Sequence, residues 1–540
     1  MSPKPVISDR YAAARIYFGC VMGMLLIESL LHLPQYLMVA LNKRKPYVKA
    51  PVQHNGFRVF MHKISTLPSP FPFLTAHNYP MFLRFLVFAS LNILFGYNRT
   101  RFTADYTLYG WLTLSNGGLT LLLAARGTNL LSAVLRIPTP LLLTYHRWCG
   151  MASFVHATVH LGYTASHNAR TGQLSRVVNN DVYRAGIIAW SALALVFLTS
   201  LRPIRRWCWE LFYYPHYLFL VFAVGAMYHA NHAKEFFLPG LTLWFIDRVW
   251  RLRHFSKKKA VITHFDGSVT KLTVNGYSPK GAAQMAWVQF PGVSNVVWHP
   301  FTMVARPGNG FTFAIRGLGG YAKKVQKLGA SDSSEKSSGS VIPIRIDGPH
   351  GVGGIEWGHH TVTVLVAGGI GITPGISIAS SIIFQATNPS SPFSRAEAPA
   401  RHIYLLWILR SLSHASWFTN ELSHLSALAN SSNGKVTFDI TIHYTSADTG
   451  WGQDCTHDLA AAERSLTGSQ PSGYAGPGAV IQGRPDILAW FNQIRDQRPH
   501  MDVAVNLCGP RTLINSARKA ATKMSWSGGL FKVQEEVFEL

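Results

Sequence analysis

Long apolar runs fill the first half of the chain and short alternating ones the second, so the period of hydrophobicity itself divides the molecule. Apolar stretches near the length of about 20 residues that a bilayer core requires fall at 16–41, 80–97, 107–125, 140–163, 184–201, 211–231 and 237–250. They predict a multi-pass α-helical membrane domain of about seven spans. The first run is long and lacks a small-residue cleavage site after it, so it is expected to be a retained helix rather than a signal peptide. From about 254 the period drops to two. Runs at Val261–Phe265, Val269–Val274, Ala286–Phe290, Phe311–Ile315 and Val341–Ile346, separated by Gly and Pro, predict an antiparallel β-barrel domain. The polar stretch Ser331–Ser340 is expected to be a mobile loop. Thr361–Ala379 (TVTVLVAGGIGITPGISIA) then runs from a buried-type strand through glycines into a helix, the opening of an α/β nucleotide-binding domain. The expected domains are 1–253, 254–350 and 351–540.

Charge refines the picture. The 540 residues are 48% hydrophobic, and 50 Lys and Arg against 25 Asp and Glu give a net charge of +25. That excess would suit a nucleic-acid binder, but the cations gather between apolar runs and no basic helix is interleaved with stacking aromatics, so no nucleic-acid partner is expected. Placing Lys43, Arg44, Lys45, Lys49, Arg58 and Lys63 in the cytosol puts the N-terminus outside. Alternating from there puts Arg126 and Arg136, then Arg202, Arg205 and Arg206, then Arg248, Arg251, Arg253 and Lys257–Lys259 on the cytosolic side as well. The sequon Asn98-Arg99-Thr100 falls outside, close to the membrane. The five cysteines form no CxxC pair, which argues against a disulfide framework and a zinc site. No CaaX box ends the chain.

Two of the apolar segments carry widely spaced histidines. His146 and His160 lie fourteen residues apart, and His216 and His229 thirteen. Each pair spans roughly 20 Å of helix, most of a bilayer core of about 30 Å. Ionisable groups inside a membrane are costly and point to function, and imidazole is a common haem ligand. Two such helices would hold two haems, an inner one between His146 and His216 and an outer one between His160 and His229. Fourteen residues bring His160 back to within roughly 40° of the His146 face, whereas thirteen leave His229 roughly 140° from His216. The second pair therefore needs a bend or bulge in its helix. His156 and His232 compete as ligands, and Glu28 and His32 in the first run either face other helices or sit near an interface, the second being the favoured expectation.

The turn Gly368-Gly369-Ile370-Gly371-Ile372-Thr373-Pro374 would bring backbone amides and a helix N-terminus to a pyrophosphate. Pro374 stands where the dinucleotide fingerprint has its third glycine. The turn instead resembles that of the ferredoxin–NADP reductase family. His299-Pro300-Phe301-Thr302 resembles the flavin motif of that family's membrane branch, and Asp347-Gly348-Pro349-His350-Gly351 the segment closing the flavin barrel. Leu507-Cys508-Gly509-Pro510 resembles the Cys-Gly-Pro over the nicotinamide. Trp407 and Arg410, with Gly483-Arg484-Pro485, resemble the adenosine side. Tyr145-His146-Arg147-Trp148-Cys149-Gly150, Trp209-Glu210-Leu211-Phe212 and Asp247-Arg248 resemble the membrane half of the same proteins, so residues 107–540 are similar to the ferric reductase transmembrane family, especially its fungal metalloreductases.

This resemblance implies cytosolic NADPH, FAD and two haems b, with electrons delivered to Fe(III) chelates or Cu(II) across the bilayer. His146, His160, His216 and His229 are the implied metal ligands, the spacing favouring His229 over His232. His299, Pro300, Phe301, Thr302 and Arg316 are implied to hold the flavin. Gly369, Gly371, Thr373, Pro374, Arg410, Arg484, Gly509 and Pro510 are implied to hold NADPH, with Cys508 beside the line from nicotinamide C4 to flavin N5. Three positions depart from the family: Ala322 where a Thr usually follows Arg316, His350 for an aromatic, and Glu535-Glu536-Val537-Phe538-Glu539-Leu540 where the family often ends in an aromatic over the flavin, so that Phe538, Leu540 or neither is expected near the ring. A superoxide-producing NADPH oxidase is the alternative, but such proteins commonly carry a further His where this chain has Thr164. A seven-span transporter would leave the nucleotide motifs unexplained. The plasma membrane is the expected location, with the vacuolar membrane as the alternative, and a homo-oligomer is left open.

Overall fold

The computed structural model describes residues 7, 9–42, 53–68, 78–97, 106–124, 130–265, 268–276, 279, 281–306, 309–317, 319–328, 340–351, 355, 357–395, 398–445 and 476–536. Two compact units share the chain: 1–38 with 69–253 and 539–540, and 39–68 with 254–538. The stretch 331–339, the sequon at Asn98, Cys455, Phe538 and Leu540 lie outside the described residues.

All seven expected spans are helical: α1 (Arg10–Asn42), then, beyond a short α2 (Gly56–Thr66), α3 (Tyr79–Gly96), α4 (Tyr106–Leu122), α5 (Thr139–Arg170), α6 (Asp181–Thr199), the pair α7 (Trp209–His216) and α8 (Phe219–His229), and α9 (Ala233–His254). By length and composition, Arg10–Pro34, Tyr79–Gly96, Asp181–Thr199 and Trp209–His229 suffice to cross a membrane. Gly369–Thr387 also qualifies, but 78% of it is buried, which makes it a core helix of the second unit. The chain is a multi-pass membrane protein. Its outer helical faces expose Leu31, Leu94 and Ile188, as lipid contact requires, while polar groups between helices find partners inside. Tyr17 donates to Asn116 Oδ1 (2.8 Å), and Ser153 to the Thr113 carbonyl (3.1 Å).

Glu28 faces other helices, the alternative to the interfacial place favoured for it. It is buried, and Arg84 of α3 grips both carboxylate oxygens, with Nη2 3.0 Å from Oε2; the Tyr145 hydroxyl of α5 lies 3.5 Å from Oε1. A carboxylate needs a cation when water is excluded, and the α1–α3 crossing supplies one. Small residues allow another close approach: a Cβ on Gly118 of α4 would collide with the Phe236 carbonyl of α9.

In the second unit, seven antiparallel strands in the order β4-β3-β7-β1-β2-β6-β5 form a nearly closed barrel: β1 (Ser256–Phe265), β2 (Val269–Asn275), β3 (Met285–Gln289), β4 (His299–Thr302), β5 (Val304–Ala305), β6 (Gly310–Arg316) and β7 (Val341–His350). The two strands beyond those expected are short, and Pro300 weakens the pattern of β4. A helix α10 (Gly320–Lys327) follows β6. Six parallel strands in the order β11-β10-β9-β8-β12-β13 make the α/β sheet: β8 (Val362–Gly368), β9 (Arg401–Leu409), β10 (Val436–Tyr444), β11 (Ala479–Gln482), β12 (Val503–Cys508) and β13 (Phe531–Glu535). α11 (Ile372–Thr387), α12 (Thr419–Asn430), α13 (Ile487–Gln497) and α14 (Arg511–Met524) cover it. Strands buried on both faces, such as VTVLVAG in β8, are what a helix-covered parallel sheet demands.

The basic stretch after the first run, expected in the cytosol, contains α2, which docks on this α/β domain. Buried His54 lies 2.7 Å from Asp502 Oδ1, His62 Nε2 lies 2.9 Å from the Phe531 carbonyl, and Thr522 donates to Thr66 Oγ1 at 2.9 Å.

Candidate electron-transfer sites

The helical unit brings the four predicted histidines together as two pairs. His146 and His216 have ring centroids 6.3 Å apart, and so do His160 and His229. With metal–imidazole bonds of about 2 Å on each side and a nitrogen roughly 1.1 Å from its ring centre, two imidazoles bound to one metal would sit near 6 Å apart. The hydrogen bonds also fit. The Nδ1 of His146, His160 and His229 lies 2.8, 2.7 and 2.8 Å from the carbonyls of Thr120, Tyr106 and Val182, and that of His216 lies 3.4 Å from Ser200 Oγ. An Nδ1 that donates to a carbonyl leaves Nε2 with its lone pair, the tautomer a metal needs, and fixes the ring.

The expected break in the second helix is present. α7 ends at His216 with Pro215 inside it, a turn at Tyr217–Leu218 follows, and α8 carries His229 to its last residue. Glycines make room: a Cβ on Gly186 would fall 2.7 Å from His229 Nδ1, and one on Gly110 3.2 Å from the His160 ring. The competing histidines are engaged elsewhere. His232 packs at a tilt 4.7 Å from the Tyr11 ring and lies 3.4 Å from Glu235 Oε1; buried His156 meets Asn92 Oδ1 at 3.1 Å and stacks on Tyr109. Thr164 Oγ1 is buried with no hydrogen-bond partner among the described residues. Sequence reading placed Arg248 on the cytosolic side and in the Asp247-Arg248 motif, without assigning it a ligand. Its Nε is buried with no hydrogen-bond partner among the described residues, and its guanidinium lies over the Tyr217 and Trp244 rings beside the helix break, where it suits a haem carboxylate.

In the barrel, β4 aligns His299-Pro300-Phe301-Thr302 against β3, with Trp287 opposite Pro300 and Ala286 opposite Phe301. His299 packs 4.2 Å from the Tyr321 ring on α10, a neighbour the motif did not announce, and Ala322 follows on the same helix. Arg316 closes β6; its Nε is buried with no hydrogen-bond partner among the described residues, and a Cβ on Gly369 would meet its Nη1 at 3.9 Å. An orphaned guanidinium nitrogen facing a glycine turn fits the phosphates of a flavin dinucleotide. His350 does more than replace an aromatic: its Nε2 lies 3.2 Å from Asp347 Oδ1.

The glycine turn and the Cys-Gly-Pro segment abut. A Cβ on Gly371 would lie 2.7 Å from the Cys508 carbonyl and 3.0 Å from its Sγ; one on Gly368 would lie 2.6 Å from Pro510; one on Gly509 would lie 3.0 Å from the Gly368 nitrogen. Gly369 adopts φ +56°, which a side chain would strain, and Trp407 Nε1 donates to its carbonyl at 2.9 Å. Thr373 and Pro374 are buried in the first turn of α11. Burial pushes the Cys508 thiol well above its usual range, so it is neutral. Beside it Glu536, missed from sequence, is pushed up to about 7 by burial, partly offset by the Asn506 amide donating at 3.2 Å. Leu409, Tyr444 and Gln482 align across β9, β10 and β11, so exposed Arg410 and Gly483-Arg484 emerge at the same carboxyl edge, where open α/β sheets take ligands.

Known families match in the same order. Residues 109–227 match the ferric reductase like transmembrane component, 254–353 an FAD-binding domain and 360–522 the ferric reductase NAD binding domain. NADPH oxidase 1 of Mus musculus is 28% identical over 63% of this chain and 63% of its own length. Ferric reduction oxidase 8 of Arabidopsis thaliana is 27% identical over 51% of this chain and 40% of its own. The chain thus spans less than two thirds of either relative. Among solved structures, a flavohemoglobin from Malassezia yamatoensis aligns at 16% identity and a TM-score of 0.35, over 68% of this chain and 87% of that one.

Proposed function

We propose, from the premise that this chain belongs to the ferric reductase transmembrane family, joined to FAD- and NAD-binding domains, that it is a transmembrane metalloreductase. It takes electrons from NADPH on the cytosolic side and delivers them to Fe(III) chelates or Cu(II) on the other. The observation that carries this reading is the pair of histidine couples, each 6.3 Å between ring centres, with Nδ1 committed to hydrogen bonds and Nε2 left to a metal.

FAD would accept a hydride from NADPH and release single electrons, and a haem iron at each couple would carry one electron at a time. The protein's own residues do the rest. His146 and His216 hold the inner group, His160 and His229 the outer, and their hydrogen-bonded Nδ1 atoms raise ligand basicity. Arg316 and the β4 motif hold the flavin. Gly369, Gly371, Thr373 and Pro374 shape the turn that receives the pyrophosphate, and Gly509 and Pro510 close it from the other side. Neutral Cys508, with its carbonyl against Gly371, keeps water and charge from the nicotinamide C4 position and fixes its approach. Arg410 and Arg484 supply cations for the 2′-phosphate of NADPH. The bilayer keeps the two half-reactions apart.

Thr164, at the place where oxidases commonly carry a further histidine, favours metal over oxygen. NADPH oxidation by purified protein in vesicles, with an Fe(III) chelate, Cu(II) or O₂ offered in turn, tests the acceptor: fastest turnover with a metal supports the proposal, and stoichiometric superoxide at an equal or higher rate overturns it. The oxidase reading is the second one, favoured by the longer alignment to NADPH oxidase 1 than to ferric reduction oxidase 8.

A further inference from the structure

α2 has two faces that ask for different partners. At about 100° per residue, Val59, His62 and Thr66 share one side, and it is this side that grips the α/β domain through the Phe531 carbonyl and Thr522. Phe57, Phe60, Met61 and Ile64 share the opposite side at the i, i+3, i+4, i+7 spacing of an apolar stripe. Among the described residues that stripe is open: Phe57 is 71%, Phe60 59% and Met61 47% exposed. Arg58 and Lys63 flank it on either edge. A helix with a polar face, an aromatic apolar face and basic shoulders suits the boundary between headgroups and acyl chains.

The surrounding chain says which surface covers it. From Glu28 to Asp105 the sequence contains no intervening acidic residue, while Lys43, Arg44, Lys45, Lys49, Arg58 and Lys63 all fall between them. Such a segment is complementary to an anionic leaflet. It is also tethered to a membrane, because the candidate span Arg10–Pro34 precedes it within α1 and α2 begins at Gly56.

We propose that α2 is an interfacial anchor, with Phe57, Phe60, Met61 and Ile64 inserted at the acyl boundary of an anionic leaflet and Arg58 and Lys63 on its lipid phosphates. The opposite face, through His62 and Thr66, holds the nicotinamide-binding domain, so α2 clips that domain to lipid. The claim goes beyond the proposed reaction and does not depend on the electron acceptor.

The test is photo-cross-linking of the full-length protein in vesicles containing an acyl-chain diazirine lipid, with or without phosphatidylserine, followed by peptide mapping. Adducts are expected on residues 57–64 as well as on α6, which serves as the internal control. Phe57→Ser with Phe60→Ser should remove the adducts on α2 alone. Arg58→Gln with Lys63→Gln should reduce them in phosphatidylserine vesicles by about fivefold per charge and leave the neutral vesicles unaffected. Phe57, Arg58 and Phe60 are exposed and Lys63 half-buried, and an unaltered flavin content shows that the fold is intact. Adducts on α6 with none on residues 57–64 in either vesicle overturn the proposal, as does labelling of α2 that ignores the serine substitutions. Absence of adducts together with concentration-dependent dimers would give the face to a second copy of the chain and overturn it equally.

Discussion

His229 is held by a hydrogen bond to the Val182 carbonyl and by the absence of a side chain on Gly186, and these two neighbours turn a spacing into a candidate ligand. Replacing His146, His160, His216 or His229 by Ala is expected to remove one haem per polypeptide, while His156→Ala and His232→Ala keep both; a pyridine haemochrome assay against protein concentration decides it. Loss of haem in His232→Ala with none in His229→Ala would reassign the outer site. Gly186→Ala should behave as a mild form of His229→Ala, because a new Cβ 2.7 Å from Nδ1 must push the ring away. Arg410→Ala and Arg484→Ala should raise the KM for NADPH at least tenfold more than that for NADH, since only NADPH carries the phosphate; equal loss with both would make them structural.

Glu536 gives a pH dependence of defined sign. Its carboxyl is raised to about 7 from an ordinary value near 4.5. The neutral form is therefore favoured by folding, and the stability it contributes is fully present below about 4.5 and lost as pH rises through about 7. Glu536→Gln should match the native protein at pH 4.5 and be more stable than it at pH 8, read as the temperature of flavin release. A variant equally stabilised, or destabilised, at both pH values would contradict the assignment.

At the scale of elements, all the spans and the glycine turn were legible because each is announced by local sequence: apolar length for α1, α3 and α6, and strand–glycine–helix order for β8 and α11. The bend between α7 and α8 was legible only as a need, from the mismatch of thirteen residues with the helical period; the structure meets it at Tyr217–Leu218. What sequence did not reveal depends on partners far along the chain. Glu28 reads as an interfacial charge until Arg84 is seen beside it, and α2 reads as loop until His54 meets Asp502. The site motifs were readable as segments, but the abutment of Gly371 on Cys508 and the placing of Glu536 come only from the parallel pairing of β8, β12 and β13.

The Glu28–Arg84 pair predicts how α1 is secured. Removing one partner of a buried ion pair costs about 3–5 kcal/mol, because the other charge is stranded. Glu28→Ala and Arg84→Ala should each lower the temperature of haem release, and the double variant should lose clearly less than the sum. Strict additivity would mean that the two side chains do not act as a pair.

At the scale of the whole molecule, the proposed function sets reductive and acceptor chemistry on opposite sides of a bilayer, with the histidine couples as the proposed link between them. The asymmetry of Lys and Arg fixes the proposed orientation, with the nucleotide-binding domains cytosolic. The most direct test uses sealed vesicles with those domains facing outward, NADPH added outside, and a membrane-impermeant Fe(III) chelate with an Fe(II) indicator trapped within. The expected result is internal Fe(II) formation that depends on external NADPH and stops in each of His146→Ala, His160→Ala, His216→Ala and His229→Ala, while flavin bleaching by NADPH persists in all four. Internal Fe(II) formation that survives loss of these histidines, or none in the native protein despite a full complement of FAD and haem, would contradict the account.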